Sequence, residues 1–483
     1  MHNRQAPVHV LFSTSHTLLS DCDCACTPAL LPIPSLAKGS SAPYRATPAH
    51  PLAQQAEWRI YHNPLGPAAV VALNPAAQAL WQHFATPAPL QTANLGPQIQ
   101  LGLTALLQSG MLRPAAPAAP LFPSSQVLGA WVHIAGRCNL ACDYCYLPKR
   151  ASDPMPETLR RVVDSVLRSA AAHGYTTVHL KYSGGEPLLR FPILMQTHCY
   201  AQAQAERQGI TLDGVVLSNG TLLTSSIVTQ LREANLRLMI SLDGLGEAHD
   251  AQRHYPDGRG SFADVARAID LAQQGGLEPL ISVTITGRSA PHLPEVVAWL
   301  LERDLPFSLN LYRENDCAAA DPGLALDEER IIMGMLGAYK IIEQNLPRRS
   351  LLGALTDRAN FAAPHCRTCS VGQDYLVFDA QGRVSKCQMD MAHPITDIHA
   401  PDPLQTIRAS VDGLQNLSVE EKEGCRECQW RYWCSGGCPL MTYRATGRYT
   451  AKSPYCNIYK AIFPEVLRLE GLRLIKYADE LNK

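Results

Sequence analysis

The chain has 483 residues, 46% apolar and 18% charged, which suits a globular protein of roughly two to four domains and excludes fibrous or wholly disordered classes. Lys and Arg number 42 against 43 Asp and Glu, so no bulk charge draws it to nucleic acid, an anionic membrane or a basic partner, and recognition must be local. There are 16 cysteines, but the N-terminus offers just the short apolar run Val8 to Phe12 and no membrane-length apolar stretch, so the expectation is a cytoplasmic protein whose cysteines bind metal.

Residues 1–54 are rich in Pro, Ala and Ser and read as a flexible tail. Cys22, Cys24 and Cys26 alternate within it, and alternate side chains of an extended chain point to opposite sides, so they read as spare thiols. Residues 55–113 form a compact module. Glu57 to His62 and Ala69 to Leu73 read as a hairpin across Asn63-Pro64-Leu65-Gly66, and Asn74-Pro75 caps a helix to Phe84. A second helix near Ile99 to Ser109 is expected to bury Leu101, Leu106 and Leu107. Two strands and two or three helices suggest a winged helix-turn-helix, yet residues 51–123 carry just Glu57, Arg59 and Arg113 as charged side chains, which argues against duplex binding. The Pro/Ala-rich run Pro114 to Pro123, within a boundary region of 114–125, reads as a semi-rigid linker.

From 126 to 330 strand and helix patterns alternate. Strands near 130–134, 177–182, 214–218, 237–242, 279–286 and 306–311 are separated by helical runs, the first from Pro156 to His173, giving six βα units of a parallel sheet. Ligands of such sheets bind at the C-terminal strand ends. There the chain places Cys138-x3-Cys142-x2-Cys145, Gly184-Gly185-Glu186-Pro187, Ser218-Asn219-Gly220-Thr221 and Ser241-Leu242-Asp243-Gly244. Three thiols in one loop can hold a cubane cluster with one iron left open, or form part of a zinc site. The glycines let backbone approach a ligand, and Glu186 could accept from an ammonium group.

The cysteine loop after the first strand and Gly-Gly-Glu-Pro after the second resemble the radical S-adenosylmethionine (SAM) enzymes. The resemblance implies a [4Fe–4S] cluster on Cys138, Cys142 and Cys145, whose open iron chelates SAM, and reductive cleavage to a 5′-deoxyadenosyl radical that takes hydrogen from the substrate. It further implies SAM contacts from Gly184, Gly185, Glu186, Pro187, Asn219, Ser241 and Arg253. An ordinary surface or helix-capping role is the alternative for Arg253.

A helix over Glu328 to Gln344 belongs to the connection 331–360, and residues 361–483 hold a second cysteine group. Its pattern, Cys369-x12-Gly382-x4-Cys387, a gap, Cys425-x2-Cys428-x5-Cys434-x3-Cys438, a gap and Cys456, resembles the SPASM extension of peptide-modifying radical SAM enzymes. The resemblance implies two auxiliary [4Fe–4S] clusters. Cys369, Cys387 and Cys438 would hold the first, with Cys366 as candidate fourth ligand, and Cys425, Cys428, Cys434 and Cys456 the second. Two zinc sites are the alternative. Cys199 reads as a buried small hydrophobe and Cys317 as a loop thiol.

The N-terminal hairpin and helix resemble leader-peptide recognition domains. Together these parts imply an α/β protein: a partial (β/α)6 TIM-like barrel with an N-terminal winged-helix-like module and a C-terminal cysteine-rich domain. Its expected function is radical modification of a ribosomally made precursor peptide, for example by a thioether or carbon-carbon cross-link, with a flavodoxin- or ferredoxin-type electron donor. One alternative is an anaerobic sulfatase-maturating enzyme; these place an Asp base directly after the Gly-x4-Cys cysteine, where this chain has Gln388, with Asp390 two residues on. A non-catalytic iron-sulfur regulator binding DNA is the other.

Overall fold

The computed structural model describes residues 7–13, 42–90, 95–116, 122, 125–147, 152–318, 321–357 and 359–481. Cys22, Cys24 and Cys26, and most of the expected linker, lie outside these. The N-terminal module contains β1 (Val10–Phe12), β2 (Pro43–Ala46), β3 (His50–Gln55), β4 (Trp58–His62), β5 (Val70–Leu73), α1 (Pro75–His83), β6 (Ala88–Pro89), α2 (Pro97–Gln108) and β7 (Leu112–Pro114). They make one sheet of order β1-β5-β4-β3 and a smaller one of order β6-β2-β7. The hairpin β4–β5 forms where alternation placed it, and Asn74 Oδ1 caps α1 by accepting from Ala77 N at 2.9 Å.

Two expectations are corrected in this region. Residues 10–12, 43–46 and 50–55 are strands of the module rather than tail: β1 pairs antiparallel with β5, and β3 with β4 through a tight turn in which Ala56 takes φ of 52°. Leu101 faces solvent at 63% exposure, because α2 turns Gly102, Leu103 and Leu106 inward; a Cβ at Gly102 would lie 2.2 Å from Val8 Cγ1, so that face abuts the residues preceding β1.

The barrel alternates as read: β8 (Val127–Ala135), α3 (Pro156–Ala172), β9 (Thr177–Gly184), α4 (Phe191–Arg207), β10 (Thr211–Ser218), α5 (Ser225–Glu233), β11 (Arg237–Ser241), the short α6 (Glu247–Asp250), α7 (Phe262–Gln274), β12 (Leu280–Ile285), α8 (Leu293–Glu302), β13 (Phe307–Leu311) and α9 (Glu328–Gln344). Strands β8 to β13 pair in parallel in chain order. Their apolar runs are buried on both faces, as parallel strands covered by helices require. Cys199, expected inside, is exposed on α4.

The cysteine-rich region supplies β14 (Tyr375–Phe378), β15 (Arg383–Ser385), β16 (Thr396–Asp397), α10 (Pro403–Ala409), α11 (Arg431–Cys434), α12 (Pro439–Thr446) and α13 (Cys456–Lys476). Strand β14 pairs in parallel with β8, Val377 opposite Trp131, so the barrel sheet runs on into this region as one sheet of nine strands. Gly382 takes φ of +77° in the β14–β15 turn, and a Cβ there would meet Ile398 Cδ1 at 2.8 Å, which accounts for a glycine in Gly-x4-Cys.

Helix α13 crosses back over the module's sheet. A Cβ at Gly471 would lie 2.4 Å from Ile60 Cγ2, and Ile60, Val70 and Ala72 share a core with Val466, Leu467 and Leu474. The hairpin turn also docks on the cysteine segment: His62 stacks on Trp430 at 4.6 Å between ring centres, and Trp433 Nε1 donates to Pro64 O at 3.2 Å. Each fully buried Ile or Val stabilises this seam by about 1.5–3 kcal/mol.

Candidate functional site

The loop after β8 is shaped by bonds to its neighbours. Ala141 N donates to His254 O at 2.7 Å and Asp143 N to Gln252 O at 3.1 Å, which tie the cysteines to the segment carrying Arg253. A Cβ at Gly185 would stand 2.1 Å from Arg137 O, so that glycine serves the close approach of β9's end to the cysteine loop. Cys138, Cys142 and Cys145 line an open cavity of about 780 Å³ together with Gly184, Gly185, Ser218, Asn219, Ser241 and Arg253.

Glu186 and Pro187 do not line this cavity. Glu186 is fully buried behind its wall: Oε1 accepts from Leu188 N at 2.9 Å and Ser218 Oγ at 2.8 Å, and Oε2 accepts from Asn219 N at 2.8 Å. Its carboxylate is spent on backbone and hydroxyl donors, so the expected contact to an ammonium group is replaced by one that sets Asn219. Asn219 in turn donates to Asn139 Oδ1 at 2.9 Å and accepts from Thr221 N at 3.0 Å, locking the ends of β8 and β10 together. Pro187 opens a short 3₁₀ turn and is buried.

Arg253 is 6% exposed, which removes the surface reading. Its guanidinium donates to the Tyr144 hydroxyl and lies 3.7 Å from Asp243 Oδ2, which itself accepts from Tyr144 at 2.5 Å and from Gln252 Nε2 at 3.2 Å. Burial works against the Arg253 charge, but Cys142, Tyr144 and Asp243 raise its pKa overall. Enclosure pushes the Cys142 thiol up to about 11, with Arg253 as the opposing influence. Sequence reasoning assigns no role to Tyr144 or Asp243; their signal, an aromatic inside C-x2-C and an Asp at a strand end, becomes specific once Arg253 stands between them. The Trp131 Nε1 group, buried on the cavity's wall, has no acceptor among the described residues.

The second cysteine group divides between cavities. Cys425, Cys428, Cys434 and Cys456 line one of about 380 Å³. Cys369, Cys387 and Cys438 line another of about 330 Å³ with Arg313. Cys366 lines neither; it borders a third cavity together with Arg367 and Cys369, so Cys369 stands between that cavity and the one it shares with Cys387 and Cys438. Enclosure drives the Cys434 thiol up to about 12.

Among the described residues no three His, Cys, Asp or Glu side chains are drawn close enough together to hold a single metal ion. Ten of the thiols instead share three cavities, a placement that fits multi-iron clusters with ligands on different irons. A buried cation accompanies them: Lys422 is 2% exposed and its ammonium donates to Ser435 O at 2.7 Å. The donor sets and these cations fit anionic iron-sulfur clusters, and the barrel cavity with Asn219, Ser241 and Arg253 fits a zwitterionic cofactor such as SAM.

Residues 132–300 match the Radical SAM superfamily. The chain carries a radical SAM domain. Members of this family bind a [4Fe–4S] cluster and SAM. The chain is 24% identical over 350 residues to the serine-type anaerobic sulfatase-maturating enzyme of Klebsiella pneumoniae, covering 69% of this chain and 86% of that protein. It is 25% identical to the AdoMet-dependent heme synthase of Methanosarcina barkeri, covering 68% and 96%. Among solved structures, anSMEcpe with bound AdoMet and Cp18Cys peptide superposes with a TM-score of 0.57 at 19% identity, over 73% of this chain and 99% of that one. The shared fold is therefore that of the radical SAM barrel with its flanking regions. No helix among the described residues is long and apolar enough to cross a membrane.

Proposed function

We propose that this chain is a radical SAM/SPASM maturase that modifies a ribosomally made precursor peptide. The observation that carries the reading is the division of ten cysteines among three cavities, in a barrel and a cysteine-rich region that share one continuous sheet, beside a module whose β3 has a partner strand on one side only among the described residues. Cys138, Cys142 and Cys145 hold the first cluster, with Asn219, Ser241 and Arg253 toward SAM; Cys425, Cys428, Cys434 and Cys456, and separately Cys369, Cys387 and Cys438, hold auxiliary clusters. Bound, the first cluster and SAM supply a 5′-deoxyadenosyl radical that abstracts hydrogen from the substrate.

The chain's own residues prepare that step. Glu186 fixes Asn219, and the Asp243–Tyr144–Arg253 group holds one cation beside the cysteine loop. Trp131 offers an N–H that a peptide carbonyl can satisfy, since a buried donor without acceptor costs about 1–3 kcal/mol. The edge of β3 offers backbone groups for strand addition by an extended leader.

A sulfatase-maturating reaction is the second reading, favoured by the relatives of that type. Against it, Gln388 stands where the Asp base is expected and Asp390 is engaged by His393 at 2.7 Å. Anaerobic coexpression with each short open reading frame adjoining the gene, followed by mass spectrometry of the peptide, tests the proposal. A mass change that requires SAM supports it. Peptides left unmodified by a preparation that cleaves SAM, with a sulfatase Cys or Ser peptide oxidised instead, overturn it in favour of the second reading.

A further inference from the structure

Lys422 stands where the two auxiliary cysteine sets come together. Its backbone carbonyl accepts from Cys425 N at 3.1 Å, at the start of one set, and its side chain runs to the turn Ser435-Gly436-Gly437, which joins Cys434 of that set to Cys438 of the other. All three turn residues have positive φ, at 50°, 83° and 70°. A Cβ at Gly436 would meet Lys422 Cδ at 2.6 Å, so the turn rests directly on the lysine stem. Thr368, next to Cys369, reaches the same turn: its hydroxyl lies 3.0 Å from Ser435 O and 2.7 Å from Gly437 O.

The ammonium is buried, yet the partner found for it is a carbonyl oxygen, and among the described residues no carboxylate lies within ion-pair reach. Burying a charge without a counter-charge costs several kcal/mol. A four-iron core of charge +2 is a dianion on four thiolates and a monoanion on three, and taking up one electron adds a further negative charge to either. Such groups on either side of the turn would supply the missing counter-charge.

We infer that Lys422 is a shared electrostatic counter-ion of both auxiliary clusters and raises the reduction potential of each. The inference rests on the reading that residues 369–456 hold two such clusters. Net charge near a cluster sets its potential, and a cation favours the more negative, reduced state, so one lysine couples the two sites without touching either iron.

The test uses the full chain, reconstituted anaerobically, with Cys138, Cys142 and Cys145 replaced by Ala so that auxiliary signals alone remain, and follows iron content and EPR-monitored redox titration. Lys422→Gln is expected to retain iron while lowering both midpoints by about 60 mV or more, a tenfold change in a one-electron equilibrium; Lys422→Arg, which keeps the charge, should stay near the parent values. Loss of auxiliary iron in Lys422→Gln but not Lys422→Arg also supports the counter-ion role. Unmoved midpoints with iron intact, a response at one cluster alone, or equal iron loss in both variants would overturn it. A parent chain that takes up no auxiliary iron overturns it together with the cluster reading on which it rests.

Discussion

In the barrel the buried Arg253 guanidinium lies 3.7 Å from Asp243, whereas in the C-terminal region the buried Lys422 ammonium meets a carbonyl oxygen and, among the described residues, no carboxylate. The first site carries its own charge balance into the fold. The second leaves a charge for something bound to neutralise. A site that must open to a small zwitterion gains from being assembled beforehand, while a site whose metal stays for the life of the protein can let the metal finish its electrostatics.

The sharpest way to break this contrast is at the cysteines. Cys142→Ala should abolish reductive SAM cleavage altogether, measured as 5′-deoxyadenosine, while Cys434→Ala should retain some cleavage and lose product formation. Next in size is Asp243→Asn, which leaves Arg253 buried without its carboxylate; breaking a buried pair in this way costs about 3–5 kcal/mol, visible as a lower denaturation midpoint and weakened SAM cleavage.

The seam between module and cysteine segment should answer to acid. Burial holds the His62 pKa down at about 4, against an ordinary value of 6.5, and its Nδ1 pairs with Ala69 O at 3.0 Å. The unfolded chain therefore takes up a proton that the folded chain refuses, and stability falls as pH drops from 6.5 toward 4. Between pH 7 and 5 this one group accounts for about 2 kcal/mol. His62→Gln should remove that share of the acid sensitivity in denaturant titrations at the two pH values. The smallest effect is expected from Cys366→Ala: Cys366 does not line the cavity that holds Cys369, Cys387 and Cys438 together but shares a second one with Cys369, so auxiliary iron content should match the parent chain, and a loss as large as that from Cys387→Ala would place it in the ligand set.

The barrel was legible because each strand is an apolar run ended by Gly, Asn or Asp and followed by a 3.6-residue period. The cysteine spacings were legible for a related reason: ligands on one short loop fix their own geometry. What escaped were contacts that depend on who arrives from elsewhere. Sequence shows that Glu186 can accept, but Ser218, Leu188 and Asn219 reach it first. Leu101 has the right spacing for a buried helix face, yet Val8, just before β1, covers the face of Gly102 instead. Strand β3 has Pro, Gln and Ala where a strand usually shows alternation, and its pairing with β4 is what makes it one.

The pairing of β14 with β8 has a consequence for how the chain is made. Until Tyr375 to Phe378 leave the ribosome, β8 has β9 on one side and an open edge on the other, and contacts so distant in sequence form late. Synthesis of the cysteine-rich region then covers that edge, so the sheet that carries the Cys138 loop is completed only by residues far downstream of it.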